Sequence, residues 1–286
     1  MRRGIAFLIL AAFIAQTCVP YAHAQQALAL PKAGMRLELS PSFTPPLLKG
    51  VKVYTDDPFR LDFILDKGDG LAPQEEANRL IKYFLAALTV PEEDLWVNLS
   101  PYEKDRIVPE AFGQTEMGRD LLAQDYILKQ VTASLLYPEG EVGKEFWARI
   151  YAQAQEKFGT IDIPVDTFNK VWIVPQKATV FESKDAAFVV ESRFKVMLES
   201  DYLAAGKAEM PETIMAKDVL RAVVIPVLEK EINEGKNFAQ LRQVYHSLIL
   251  ATWFKDKVRQ SIFGQAYVDQ KKVAGVDIAD KAQKEK

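Results

Sequence analysis

The stretch FVVESRFKVML, residues 188–198, alternates apolar and charged side chains with a period of two. The alternation assigns one face to an apolar set and the other to a charged set, namely Phe188, Val190, Phe194, Val196 and Leu198 against Glu191, Arg193, Lys195 and the following Glu199. This pattern is typical of a strand with one face on the core and one face in water. It predicts an antiparallel sheet with one covered face.

The flanking segments supply further strands and the helices that cover the sheet. Runs rich in β-branched and aromatic residues predict strands at 51–54, 59–65, 171–174 and 178–182. A period of 3.6 predicts helices from Pro73, after a cap at Thr115, over 142–158, after Pro211 and over 237–263. We therefore expect a single α+β domain over residues 51–270, in which several helices cover one face of the sheet.

The first twenty-four residues have the pattern of a cleaved signal peptide. Arg2 and Arg3 precede an apolar run, Ile5–Ala15, that is too short to span a membrane, and small residues stand at 22 and 24. This predicts cleavage between Ala24 and Gln25, with export to the periplasm or the exterior. Acylation at Cys18 is the alternative, and the polar Gln16 and Thr17 before it fit a lipoprotein signal poorly.

The two ends of the predicted domain are different in character. Residues 25–50 contain four prolines and predict an extended leader. Residues 271–286 read as a charged tail. The most apolar helical stretch, 244–254, is only eleven residues long, so we expect a buried helix and no transmembrane span after cleavage.

Composition narrows the possible chemistry. The chain has 36 Lys plus Arg against 39 Asp plus Glu, and bases and acids are interleaved, which argues against a nucleic-acid partner. Cleavage after Ala24 removes Cys18 and His23, leaving His246 as the only histidine and no cysteine. This excludes disulfides, thiol nucleophiles and cysteine or multi-histidine zinc sites, so we expect no cofactor.

His246 is the first candidate for catalysis because it is the only imidazole in the predicted mature chain. A Ser/His/acid triad would need a serine and a carboxylate brought to it from elsewhere, and the sequence shows neither contact. On an apolar helix a lone histidine is more often a packed residue with one hydrogen bond, which is the interpretation we favour.

Two acidic groups give alternative hypotheses. The polar block 100–126 contains five carboxylates that could serve a glycan hydrolase as acid and nucleophile or base, namely Glu103, Asp105, Glu110, Glu116 and Asp120. Helix caps and ion pairs use the same residue types. Asp66 and Asp69 suggest calcium, but their loop departs from the EF-hand spacing, and a solvated turn is the simpler interpretation.

Three blocks of the chain carry a resemblance. They are LSPYEKDRIVPEAFGQTEMGRDLLAQDYILKQ at 99–130, FNKVWIVPQKATVFES at 168–183 and NFAQLRQVYHSLILATWFK at 237–255. Together they resemble a family of exported bacterial proteins whose function is uncharacterised. The resemblance implies export and a shared fold, and it carries no catalytic residue over to this chain.

These observations favour an exported bacterial envelope protein that acts as a non-catalytic structural or interaction module with an envelope or extracellular partner. A carboxylate-based glycan hydrolase is one alternative. A periplasmic small-ligand or calcium binder is the other.

Overall fold

The structure is a computed structural model that describes residues 36–54, 57, 60–70, 74–90, 113–137, 140–159, 171–198, 201, 218–262 and 277–278. These residues all fall within one compact unit, Pro31–Lys286. The principal elements, in chain order, are β1 (Leu47–Val53), β2 (Leu61–Asp66), α1 (Gln74–Thr89), α2 (Glu116–Leu135), α3 (Glu141–Phe158), β3 (Val171–Glu182), β4 (Ala186–Leu198), α4 (Ile225–Glu234), α5 (Ala239–Ile262) and β5 (Asp277–Ile278).

The strands form one sheet in the order β2-β1-β4-β3-β5. The first four strands are antiparallel, and the two-residue β5 adds in parallel to β3. Helix α5 packs on β1 and β4, α1 packs on α5 and β1, and α4 packs on β4. The predicted α+β fold, an antiparallel sheet with helices on one face, is confirmed.

The inner face of the sheet and the helices share one apolar core. Strands β1, β3 and β4 contribute Val51, Val180, Val189, Phe194 and Val196, each at most 2% exposed. The central part of helix α5 lies within this core, because its residues from Leu241 to Trp253 are buried. The most apolar helix is thus buried, as its composition indicates.

The predicted inner face of β4 is wrong over its first half. Thr179 of β3 lies opposite Glu191, whereas the next residue, Val180, lies opposite Val189, so Val190 is an extra residue. This β-bulge shifts the side-chain alternation by one. Ala187 and Val189 therefore face the core, while Phe188 and Val190 turn to the outer face and Val190 is 54% exposed.

Strand β3 is continuous where the sequence predicts two strands. It runs through Pro175, which lies opposite Phe194, and a second bulge places Gln176 as the extra residue before Lys177. A proline interrupts the local β pattern in sequence, but a strand accepts it where the nitrogen faces away from the neighbouring strand.

Helix ends follow local chemistry. The Thr115 hydroxyl accepts a hydrogen bond from the Gly118 amide at 3.0 Å, so the predicted cap of α2 is confirmed. A π-helical turn, Leu220–Val224, precedes Pro226, near the predicted break. Gly235 ends α4 in an extended conformation, and a Cβ there would lie 2.4 Å from the Glu231 carboxyl carbon, so close approach explains the glycine.

Residues 36–46 are extended and cross the end of α4. The Phe43 amide donates to the Glu234 carbonyl at 2.8 Å, and the Lys236 amide donates to the Pro41 carbonyl at 3.2 Å. β1 follows at Leu47, four residues before the predicted strand. This segment is therefore joined to the helices by main-chain hydrogen bonds before it enters the sheet.

Candidate functional site

His246 lies next to Ser192, which the sequence does not place near it. Its Nε2 lies 3.0 Å from the Ser192 hydroxyl, which β4 turns inward just beyond the Val190 bulge. The imidazole is only 4% exposed. β1 and β4 pair only from Gly50 to Lys52, and beyond those pairs the ring lies between β4 and the main chain of Leu48.

The environment of His246 favours its neutral form. Burial lowers the pKa of the imidazole to about 3, and the positive charge of Lys49 lowers this pKa further. A hydrogen bond to the main chain of Leu48 acts in the opposite direction and raises this pKa. The negative charge of Asp66 also raises the pKa of the imidazole, but burial outweighs both effects. The geometry is that of a buried link between β4 and α5.

Glu116 and Asp120, two of the five carboxylates considered for hydrolysis, lie one turn apart on α2. Glu116 forms a 3.2 Å ion pair with Lys82 of α1. Asp120 accepts a hydrogen bond from the hydroxyl of Tyr83, also on α1. The two carboxylates thus connect α2 to α1. The other three, Glu103, Asp105 and Glu110, lie outside the described residues.

Asp120 belongs to a polar network between three helices. Gln240 of α5 donates to the Tyr83 hydroxyl at 3.1 Å, while Tyr83 donates to Asp120. Burial raises the pKa of Asp120, and the hydrogen bond from Tyr83 and the charge of Arg79 oppose this rise. Burial also raises the pKa of Tyr83. The network thus ties one partly exposed carboxyl to a fully buried phenol.

Asp66 and Asp69 stabilise the turn after β2. Asp66 accepts from the Gly68 amide at 3.0 Å, and Gly68 has a left-handed φ of 55°. Asp69 accepts from the Thr44 amide at 2.7 Å, and the Asp69 amide donates back to the Thr44 carbonyl at 2.9 Å. Within the described part of the chain, no group of three or more His, Cys, Asp or Glu could hold a metal ion.

The sequence analysis does not predict the buried polar cluster around Glu231 and Arg242. Glu231 of α4 is 4% exposed and accepts hydrogen bonds from the Ser40 amide, the Ser40 hydroxyl and the Asn237 side chain. Arg242 donates to the carbonyls of Ile232, Gly235 and Phe43 at 2.7–2.8 Å. Burial lowers the pKa of Arg242 to about 10, so it stays charged at neutral pH.

One feature of the sequence indicates this cluster, namely the position of Glu231. Glu231 stands beside Ile232 and three residues after Leu228, on the apolar stripe of α4. An acid in such a stripe needs hydrogen-bond donors when it is buried. One donor, Asn237, stands six residues further along the chain, but the two donors of Ser40 lie 191 positions away, which the sequence does not indicate.

The outer face of the sheet carries an apolar row, and the predicted alternation placed two of its residues, Phe188 and Val190, on the covered face. Ile64, Gly50, Phe188 and Phe181 are successive partners across β2, β1, β4 and β3. Ile64 is 37% exposed, Phe181 42%, and Val190 stands next to Phe188 along the same face of β4. We call Ile64, Phe188, Phe181 and Val190 the outer row.

Gly50 allows the outer row to form. A Cβ on Gly50 would lie 2.8 Å from Cδ1 of Phe188 and 2.8 Å from the Ala187 carbonyl oxygen. The Phe188 ring therefore lies over the main chain of β1, with Phe181 at a centroid distance of 6.5 Å. The result is a shallow aromatic surface that spans the sheet.

Charges of both signs border the outer row. Lys52 and Asp62 lie beside it on β1 and β2. Lys177 and Glu191 form an exposed 2.7 Å ion pair on β3 and β4. The border is balanced in charge, which suits a protein partner better than a polyanion or an anionic lipid surface.

Comparison with known proteins adds no identity, because the chain matches no protein-family model, no curated protein and no solved structure. In the part of the chain that the structure describes, no helix is long and apolar enough to cross a membrane. Ala24 and Gln25, the predicted cleavage site, lie outside that part.

Proposed function

We propose that the chain is an exported bacterial envelope protein that acts as a non-catalytic structural or interaction module, of the kind its sequence resembles. The outer row carries this proposal. A contiguous aromatic and aliphatic strip on one sheet face, with charges around it, has the composition of a protein contact surface. The partner we infer is a protein with a matching apolar strip.

The polar groups support a structural role. Glu116, Asp120, Asp66 and Asp69 each accept hydrogen bonds or form ion pairs that join helices or close a turn. His246 of α5 is hydrogen-bonded to Ser192 of β4 and is buried in its neutral form. These side chains are engaged in holding the fold, which favours a module that works through its surface.

Photo-crosslinking in cells that express the protein tests the role of the outer row. A photoreactive amino acid at Val190, which is 54% exposed, should give a discrete adduct with one protein. The matched control is the same substitution at Tyr151 of α3, which is 45% exposed and lies outside the outer row. The adduct at Val190 should disappear when Phe188→Glu is added. Equal adducts at both positions, or none at Val190, would contradict the proposal.

Export has its own test. Arg2, Arg3 and the apolar run before Ala24 support it. Mass spectrometry of the mature protein should show Gln25 as the first residue, and the protein should fractionate with the periplasm or the medium. A chain that keeps Met1 in the cytoplasmic fraction would overturn this part.

One observation favours a second candidate, a glycan hydrolase. Asp120 is a partly exposed carboxyl with a raised pKa, a property of general acids, and Glu116 lies one turn away. A cell-wall or surface glycan incubated with wild type and with Asp120→Asn tests this. Release of reducing ends by wild type alone would favour hydrolysis, and no release by either would remove it.

A further inference from the structure

The two edges of strand β3 are paired to different extents. On one side it pairs with β4 from Val171 opposite Leu198 to Glu182 opposite Ala187. On the other side β5 pairs with Thr179 and Val180 alone. Among the described residues, β3 is therefore an edge strand with a two-residue cover.

The direction of its main-chain groups follows from Phe194 of β4. The amide and carbonyl of Phe194 bond to the side chain of Asn233, so they point away from β3. Main-chain groups alternate along a strand, so those of Ser192 point away as well, and its partner Ala178 directs its own groups to the outer edge. Val180, two residues on, does the same.

The two halves of this edge are protected differently. Pro175 lies opposite Phe194, so its nitrogen, which carries no hydrogen, faces the outer edge, and the Gln176 bulge follows. Prolines and bulges are devices that prevent strands from adding to an edge. Beyond them, Ala178 and Val180 offer regular donors and acceptors, and this is where β5 lies.

We propose that the edge from Ala178 to Phe181 is a strand-addition surface, that β5 is its resident occupant, and that a second copy of this chain pairs there, β3 to β3 and antiparallel, when β5 is withdrawn. This rests on the proposed function, in that the chain works through protein contacts, and it names the contact that its own C-terminal segment controls.

Self-complementarity argues for a second copy. In an antiparallel pair centred on Thr179, Ala178 of each copy faces Val180 of the other and exchanges hydrogen bonds, about four in all, which is more than a two-residue strand forms. On the outer face, Lys177 meets the Phe181 of the second copy. A cation opposite an aromatic ring is favourable, and no like charges face each other.

Sedimentation velocity over a wide concentration range tests the proposal. We expect the full chain to sediment as a monomer and a chain truncated after Val276 to sediment as a dimer, with a roughly twofold greater mass. A second variant, Asp277→Pro with Ile278→Pro in the full chain, removes the β5 donors without shortening the protein. The proposal is overturned if both variants fold by circular dichroism and remain monomeric, or if the full chain dimerises equally.

The register has a matched control. Phe181→Lys in the truncated chain puts a second lysine opposite Lys177 and should return the protein to a monomer. Tyr151→Lys makes the same change at an aromatic residue of similar exposure, 45% against 42%, and should leave the dimer intact. A dimer that survives Phe181→Lys contradicts the β3-to-β3 pairing.

The outcomes separate this proposal from the proposed function. If the truncated chain stays monomeric while the Val190 adduct persists, only the proposed β3-to-β3 pairing is contradicted. If the truncated chain dimerises but no Val190 adduct forms, only the proposed role of the outer row is contradicted.

Discussion

The side-chain amide of Asn233 bonds to both main-chain groups of Phe194. Its Oδ1 accepts from the Phe194 amide at 2.9 Å, and its Nδ2 donates to the Phe194 carbonyl at 2.9 Å. β1 pairs with β4 only from Gly50 to Lys52, so this part of β4 lies beyond the end of the β1 pairing. A helix side chain thus replaces a strand partner at an interior position of the sheet.

Asn233→Ala should destabilise the protein by about 2–3 kcal/mol, because Phe194 loses both partners in a partly buried position. Urea denaturation followed by circular dichroism measures the change. Asn78→Ala is the control, since Asn78 is exposed on α1 and bonds only to Gln74 among the described contacts. Its effect should stay within about 0.5 kcal/mol. Equal effects of the two changes would contradict the strand-partner role.

Glu231→Ala should cost about 3 kcal/mol and free the segment before β1. The buried Glu231 side chain accepts hydrogen bonds from Ser40 and Asn237, and its removal leaves these donors without an acceptor. The change also removes a negative charge that stabilises the charged form of the buried Arg242. Hydrogen exchange at the Ser40 amide should become faster. Glu145→Ala breaks an exposed ion pair with Arg149 and should cost under about 0.5 kcal/mol. Unchanged Ser40 exchange would argue that Glu231 does not hold residues 36–46 against α4.

His246 should make stability fall in acid. Its pKa is about 3 in the folded chain and 6.5 in the unfolded chain, so between these values the unfolded chain binds more protons. The contribution of His246 to the free energy of unfolding is therefore complete above about pH 6.5. It is lost as the pH falls toward 3, and the free energy of unfolding changes by up to about 1.4 kcal/mol per pH unit. Chemical denaturation at a series of pH values measures it.

The control for this slope is His246→Phe, which lacks the titrating group. Its stability should be less dependent on pH than that of wild type over the same interval. Identical pH profiles for the two proteins would show that His246 is not buried in the neutral form.

Tyr83→Phe should raise the pKa of Asp120 further, because the hydrogen bond from Tyr83 lowers that pKa against the effect of burial. Carboxyl ¹³C NMR titration measures the shift. The stability should fall by about 1–2 kcal/mol, since Gln240 and Asp120 lose a shared partner. Tyr54→Phe removes an exposed hydrogen bond to Asp62 and should leave both measurements nearly unchanged. A lowered Asp120 pKa in Tyr83→Phe would refute the assignment.

Local chemistry made several elements predictable from sequence. Thr115 caps α2 because its hydroxyl reaches an amide three residues away, and the apolar content of α5 indicates burial. Such features depend on neighbours along the chain. The α+β class follows from the same information, since the period of the apolar residues separates strands from helices.

The outer row was not predictable for a specific reason. The period-two pattern of 188–198 is unbroken in sequence, yet Val190 is an extra residue that reverses the faces on one side of it. The bulge is defined by pairing with β3, a contact that a single strand does not encode. Ser192 beside His246 and Ser40 beside Glu231 depend in the same way on long-range contacts.

The hydrogen bonds that hold residues 36–46 against α4 and α5 have a mechanical consequence. The main-chain groups of Ser40, Pro41 and Phe43 bond to α4, to the turn after it and to Arg242 of α5. Tension applied to the chain before Arg36 would act on these contacts with α4 and α5 before it reached β1. We therefore expect the outer face to keep its shape under such tension until the contacts of Ser40, Pro41 and Phe43 break.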